Sequence, residues 1–164
     1  MPLIRNGAPV TDDAWLRIGD DDPIPAEGPA LVSMARWLRE RERLAARNAP
    51  VGVALAAGEA PDAIMNDLDR FGLIEIAFSQ FKDGRGFSYA RLIRHRGGYA
   101  GELRARGHIL PDQIFYLVRC GFDAVDGDDR ITEAAWADAM TRFAHVYQTT
   151  GDGRRSVLQR RHAA

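Results

Sequence analysis

The sequence predicts an α/β domain in which about four parallel strands alternate with helices, preceded by a short β-hairpin. Apolar runs of strand length recur between amphipathic runs of helical period, and short polar segments join them. Short connections between alternating strands and helices require parallel strands and right-handed crossovers. A chain of 164 residues can also bury a core without disulfides or metals. We expect one domain over residues 1–150 and a flexible, arginine-rich tail over 151–164.

The first third of the chain is predicted to hold the hairpin and one helix. Residues 3–5 and 14–18 are short extended pieces on either side of Asn6-Gly7, a strong two-residue turn signal. Residues 30–47 have a helical period that places apolar side chains on one face: Leu31, Met34, Trp37, Leu38 and Leu44.

The remaining elements alternate along the chain. Strands are predicted at residues 51–57, 73–78, 100–106 and 122–125. Helices are predicted between and after them, at residues 61–71, 86–98, 112–120 and 132–148. Gly121 is expected to end the third of these helices in a left-handed conformation, and Thr132 is expected to cap the last one.

Charges within two strands bear on the layering of the sheet. Glu102, Arg104 and Arg106 share one face of the third strand, and Glu75 interrupts the second. A parallel strand covered by helices on both faces should be almost wholly apolar. The pattern favours a curled (βα)4 sheet that resembles half of a (βα)8 barrel, with a doubly wound sheet as the alternative.

Composition excludes several classes of protein. The net charge is −1, so no overall field favours nucleic acid or an anionic membrane. Cys120 is the single cysteine, which leaves thiolate-bound iron–sulfur and zinc sites without ligands. No apolar run reaches the roughly 20 residues that span a bilayer, and the first residues lack a secretion signal. We expect a cytoplasmic protein.

The loop after the second predicted strand is the first candidate for binding. Lys82, Asp83, Arg85 and Ser88 lie there among glycines and precede a helix. Backbone NH groups and two cations could hold an oxyanion at such a junction. The loop matches neither the dinucleotide fingerprint nor the Walker pattern. The alternative is a tight turn in which Ser88 caps the helix.

Arg104, Arg106 and His108 follow at the carboxyl end of the third predicted strand. A guanidinium there could bind sulfite, sulfate, phosphate or a carboxylate in a bidentate manner. Neighbouring parallel strands would bring these residues beside the loop at 82–88, so the sequence predicts one anion- or partner-binding surface. The alternative for Arg104 is an ion pair with Glu102 or Glu75 on a semi-buried face.

Metal and cysteine chemistry are not predicted. The acidic run from Asp123 to Asp129 does not fit calcium-loop spacing, and the histidines have no ligand partners at metal-binding intervals. Asp112 is expected to offset a helix dipole, and Cys120 to be a small buried residue. We expect neither a metal nor a cofactor.

The central block also resembles a known family. The matching residues are Asp83-Gly84-Arg85-Gly86-Phe87-Ser88, Gly98-Tyr99, Gly101-Glu102-Leu103-Arg104-Ala105, Asp112-Gln113 and Arg119-Cys120-Gly121-Phe122-Asp123. The block resembles an uncharacterised bacterial domain of unknown function, often labelled "oxidoreductase probably involved in sulfite reduction" because its members are encoded beside assimilatory sulfite reductases. That family usually has an acidic residue where this chain has His108.

The resemblance implies an accessory or partner protein in assimilatory sulfite or sulfate reduction, and hence in cysteine biosynthesis. Its partner would be sulfite reductase or another sulfur-assimilation protein. The residues show no haem, iron–sulfur or dinucleotide signature, so a redox centre of its own is not expected. Two alternatives stay open: an enzyme that uses the loops at the strand carboxyl ends on a small anion or phosphate ligand, and a self-associating structural subunit such as a homodimer.

Overall fold

The computed structural model describes residues 2–150 and 152–162, which form a mixed α/β fold around one eight-stranded sheet. The strands are β1 Leu3–Arg5, β2 Ala8–Val10, β3 Leu16–Arg17, β4 Ala30–Ser33, β5 Val51–Leu55, β6 Phe71–Phe78, β7 Glu102–Gly107 and β8 Ala124–Asp126. The α-helices are α1 Met34–Arg39, α2 Arg41–Ala45, α3 Arg85–Arg91, α4 Ile114–Cys120, α5 Glu133–Thr141 and α6 Val157–Arg161. A π-helix, Leu92–Arg96, continues α3 without a break.

The strand order is β2-β1-β8-β7-β6-β5-β4-β3. Strands β3 to β8 are parallel and adjacent in chain order, while β1 runs antiparallel to β8 and β2 to β1. Right-handed crossovers that always move in one direction place the helices that connect the parallel strands on the same face of the sheet. The half-barrel prediction is therefore confirmed in its outline, with six parallel strands rather than four. The doubly wound alternative requires a reversal in strand order, and this sheet has none.

The hairpin prediction is partly wrong. The turn at Asn6-Gly7 is correct, with φ of 50° and 87°, but the returning strand is β2. Leu16–Arg17 lies instead at the opposite edge of the sheet, parallel to β4. The error arose because the segment that pairs with it, residues 30–33, was predicted to be helical.

The helix predicted at residues 30–47 begins later than expected. Ala30, Leu31 and Val32 are buried and form β4, which pairs in parallel with β3 on one side and β5 on the other. Ser33 then caps α1, and its Oγ accepts a hydrogen bond of 3.0 Å from the amide of Arg36.

Several other boundaries also differ from the predictions. Residues 61–71 hold two short 3-10 turns, Pro61–Ile64 and Leu68–Arg70, in place of one helix. The caps are as predicted: Gly121 has φ of 104°, and Thr132 Oγ1 accepts from the amide of Ala135 at 3.1 Å. Helix α5 ends at Thr141 rather than near residue 148.

Residues 11–15, here called the strap, connect β2 to β3 and so cross from one edge of the sheet to the other. Seven strand spacings of about 4.8 Å would separate those edges by roughly 34 Å in a flat sheet. Six steps of extended chain reach only about 21 Å. The strap therefore fits only a curled sheet, and it lies against the concave face, where the ring of Trp15 would meet a Cβ placed at Gly52 or Gly72 at 3.0 or 3.2 Å.

The two faces of the sheet differ in chemistry, as the alternation in the strands predicted. Apolar residues of the convex face pack under the helices, among them Ile74, Ile76 and Leu103. The concave face carries Glu75 and Arg104, each 3% exposed. Among the residues described, no helix is long and apolar enough to cross a membrane.

The segment predicted as a flexible tail contains α6 in its described part, residues 152–162. Ser156 caps that helix through a hydrogen bond of 3.2 Å from the amide of Gln159. Residues 151, 163 and 164 of the predicted tail lie outside the described residues.

Candidate functional site

The concave face holds a set of paired charges, here called the inner charge network. Its cations come from three strands and its carboxylates from three strands and the strap. The members are Arg5, Arg17, Arg104 and Arg106 with Asp13, Glu75, Glu102 and Asp126. Four guanidinium groups thus face four carboxylates, and the formal charges of the network cancel.

Arg104 occupies the centre of the buried part of this network. Its two terminal nitrogens donate to both carboxylate oxygens of Asp13 at 2.7 and 3.1 Å, and its Nε donates to Glu102 at 2.9 Å. Burial alone would raise the pKa of Asp13, but the hydrogen bond and charge of Arg104 outweigh it and hold that pKa below its usual value. The ion pair with Glu102 is one of the two that the sequence proposed, and the one with Asp13 ties the strap to β7.

On the strand beside Arg104, Glu75 lies between Arg17 and Arg106. Arg17 forms an ion pair with Glu75 across the width of β4 and β5, a reach that the curl of the sheet makes possible. Arg106 approaches Glu75 at 3.9 Å and Asp126 at 3.4 Å. The side chains of Arg17 and Arg106 are 43% and 38% exposed, so both also face solvent. This part of the network is called the mouth.

The loop after β6 is organised around Asp83. Its carboxylate accepts from the amide of Arg85 at 3.2 Å and from the guanidinium of Arg85 at 2.8 and 2.7 Å. The side-chain hydrogen bond from Arg85 lowers the pKa of Asp83 to about 2. Gly84 precedes the first residue of α3, so the expectation that Ser88 starts this helix is wrong.

The seven predicted site residues fall into separate groups. Arg104 and Arg106 lie in the inner charge network, and Asp83 and Arg85 form a pair on the loop. The guanidinium of Arg85 lies over Gly58, in the loop after β5, whereas Arg106 turns toward β8. The other three are exposed: Lys82 on the loop, His108 just after β7, and Ser88 inside α3.

A second concave region lies outside the half-barrel and is here called the outer groove. Helix α3 and the π-helix form one wall, and the segment after α5 forms the other. The groove has a volume of about 690 Å³ and is lined by Ser88, Arg91, Leu92, His95, Arg96, Thr149 and Thr150. Three of these residues are basic and none is acidic.

Cysteine and metal chemistry find little support in the geometry. Cys120 is buried in α4, and this burial raises the pKa of its thiol, as a packing role predicts. In residues 2–150 and 152–162, no three histidine, cysteine or carboxylate side chains come close enough together to hold a metal ion.

Sequence reasoning missed four members of the inner charge network: Arg5, Asp13, Arg17 and Asp126. All four lie on or beside elements whose partners are distant in the chain, so no local spacing marks them. Arg5 and Asp126 belong to strands that pair with each other. The strand pattern gave no signal for them either, because Glu75 and Glu102 already balance Arg104 and Arg106 on the predicted charged face.

The fold and site define a class: an α/β half-barrel with helices on its convex face and a charge-paired concave face. A family model described as "Bacterial protein of unknown function (DUF934)" matches residues 52–158. The chain belongs to that family. The match begins within β5 and so covers the loop at 82–88 and strand β7, while the hairpin and the strap precede it. The comparison with curated proteins gave no match.

Proposed function

We propose that this protein is an accessory component of assimilatory sulfite reduction and acts by binding a protein partner, either sulfite reductase or another protein of sulfur assimilation. The pathway rests on the resemblance of the central block, which lies within the family match at residues 52–158. The mode of action, which is binding to another protein, is inferred from which cations of the molecule form ion pairs within the chain and which do not.

The observation that carries the proposal is the difference between engaged and exposed cations. Arg85 and Arg104 already donate to carboxylates of the same chain, and Arg106 forms ion pairs with Glu75 and Asp126. Guanidinium groups in such pairs have few donors left for a small anion. Lys82 and Arg91 are exposed and form no ion pair with another residue that the structure describes. Exposed cations of this kind suit the complementary surface of a protein, where charge directs association and orientation.

Under this proposal the carboxyl end of the sheet remains part of the contact surface. Lys82 and His108 are exposed there and supply the contacts, whereas Arg85 and Arg106 are paired within the chain. Arg104 stabilises the fold instead, since it is 3% exposed and surrounded by its own partners.

One observation favours the alternative of a small-anion or phosphate-ligand enzyme. Arg17 and Arg106 flank the mouth, and both are more than one-third exposed. An oxyanion that displaced Glu75 from them would meet two guanidinium groups. Such an exchange would leave Glu75 buried without a partner, which is unfavourable, so the partner-binding function is preferred.

The proposal is tested in the native host. Deletion of the gene should impair growth on sulfate or sulfite as sole sulfur source, and added cysteine should restore growth. Tagged protein should retain sulfite reductase or another sulfur-assimilation enzyme on affinity purification. A Lys82→Glu variant should retain less of that enzyme, whereas Arg142→Glu, on the surface of the molecule at α5, should not. Normal growth of the deletion strain on sulfate, without a functional duplicate, would refute the proposal.

A further inference from the structure

The cations of the outer groove stand apart from most others in the protein. Arg91 and Arg96 are exposed, and neither forms an ion pair with another residue in the described part of the chain. Asp62 lines an adjoining hollow beside Arg96 without pairing with it. The groove is therefore a concentration of positive charge that the described residues do not neutralise.

The first wall of the groove has an unusual backbone. Leu92–Arg96 is a π-helix, in which the amide of Gly97 donates to the carbonyl of Leu92 at 2.9 Å. Segments of π-helix are rare and are found most often at functional sites. This one carries His95 and Arg96, so the irregular backbone coincides with the basic wall.

The second wall is fixed to the body of the domain. Arg119 of α4 donates to the carbonyl of Gln148 and, at 3.1 Å, to the carboxylate of Asp152. These contacts hold the chain on both sides of Thr149 and Thr150. The groove is thus preformed, which lowers the entropic cost of binding.

We infer that the outer groove binds an acidic, extended segment of a partner protein; the inference rests on the proposed function and assigns the partner's chemistry. The helical wall from Ser88 to Arg96 is about 12 Å long, which matches roughly four residues of extended chain. Carboxylates at successive positions of such a segment would pair with Arg91 and Arg96, and the hydroxyl groups of Ser88 and Thr149 would donate to its backbone or side chains.

The shape and composition of the groove favour a polypeptide over other anions. It is open rather than enclosed, whereas sites for small molecules bury most of their ligand. None of the described residues that line it is aromatic, although single-stranded nucleic acid is commonly bound by stacking on aromatic rings.

Binding is tested with the full-length protein and a synthetic peptide of six glutamates, first by two-dimensional NMR. Addition of the peptide should shift the amide signals of residues 88–96 and 148–150 and leave those of β6 and β7 in place. By fluorescence anisotropy, the double variant Arg91→Gln/Arg96→Gln should bind the labelled peptide about 10-fold more weakly. Arg142→Gln removes an exposed arginine elsewhere and should bind it like the unaltered protein.

Other outcomes would overturn the inference. An oligonucleotide of equal charge that binds the groove more tightly than the peptide would assign the site to nucleic acid. Self-association in sedimentation, lost in the double variant, would assign it to a second copy, whose exposed Asp20-Asp21-Asp22 supplies the acidic segment. If sulfite reductase still co-purifies with the double variant as well as with the unaltered protein, the groove assignment fails while the proposed function stands.

Discussion

The inner charge network and the outer groove use the same residue type for different purposes. In the network each arginine meets a carboxylate of the same chain, and the central one, Arg104, is 3% exposed. In the groove, Arg91 and Arg96 face solvent without such partners among the residues described. Buried and paired arginines join distant strands, whereas exposed and unpaired ones are available to another molecule. The comparison separates arginines that stabilise the fold from those proposed to bind.

The largest effect on stability is expected at the centre of the network. Arg104→Ala leaves Asp13 and Glu102 without their shared cation, so the free energy of unfolding should fall by about 3 kcal/mol. Because Asp13 is partly exposed, this loss of free energy should lie at the lower end of the range expected when a buried ion pair is broken. Urea denaturation measures it, with Arg142→Ala as a control that should change stability by less than about 0.5 kcal/mol. A loss below about 1 kcal/mol for Arg104→Ala would mean that solvent screens the network.

The strap provides the next test, because it carries the network's Asp13. A Cβ at residue 52 would lie 3.0 Å from both the carbonyl oxygen of Leu73 and the ring of Trp15. Gly52→Ala should therefore displace the strap and cost about 1–3 kcal/mol. Gly84→Ala is the matched control, since a Cβ there meets no atom within 4 Å. Equal denaturation midpoints for the two variants would contradict the packing of Trp15 against the sheet.

The outer groove should behave in the opposite way. The double variant Arg91→Gln/Arg96→Gln removes two exposed charges without partners, and its free energy of unfolding should change by less than about 0.5 kcal/mol. The same urea titration decides this, alongside the peptide-binding measurement. A loss as large as that of Arg104→Ala would place these arginines among the residues that stabilise the fold and would remove the contrast between the two regions.

The smallest effect is expected at Asp83, because its partner Arg85 is exposed and solvent screens the pair. The pKa of Asp83 lies at about 2 in the folded protein, below the ordinary 3.8, because Arg85 stabilises the carboxylate. A carboxyl group whose pKa is lowered by folding stabilises the folded state at pH values above its unfolded pKa, which is 3.8 for Asp83. This contribution disappears as the pH falls from 3.8 through about 2. NMR titration of the side-chain carboxyl should give that midpoint, and Arg85→Gln should return it toward 3.8. A midpoint unchanged by Arg85→Gln would exclude the ion pair.

The elements that follow local rules were predictable from the sequence. The alternation in β6 and β7 correctly indicated one apolar and one charged face, and the caps at Gly121 and Thr132 follow from the conformations those residues favour. The ion pair between Arg104 and Glu102 was predictable for the same reason, since the two residues are two positions apart on one strand.

The elements that depend on distant partners were not predictable. Strand β3 has only two residues, and its pairing with β4 was hidden by the apolar period of residues 30–47, which resembles that of a helix. The mouth was missed as a consequence. Arg17 can form its ion pair with Glu75 only because β3 lies at the far edge of a sheet that curls. The outer groove was missed because its second wall belongs to a segment that the sequence assigned to a helix and a tail.

The position of β1 has a consequence for how the protein folds during its synthesis. Leu3 pairs with Asp126, so the first strand must wait for a partner that is translated about 120 residues later. At roughly 5–20 residues per second, that delay is on the order of 6–24 s. During this time β8 has not yet been made, so β1 lacks the strand with which it pairs. The apolar side chains of Leu3 and Ile4 are buried in the finished protein and must wait for that pairing. Completion of the sheet edge is therefore a late, long-range step, and slow folding is expected from this pairing alone.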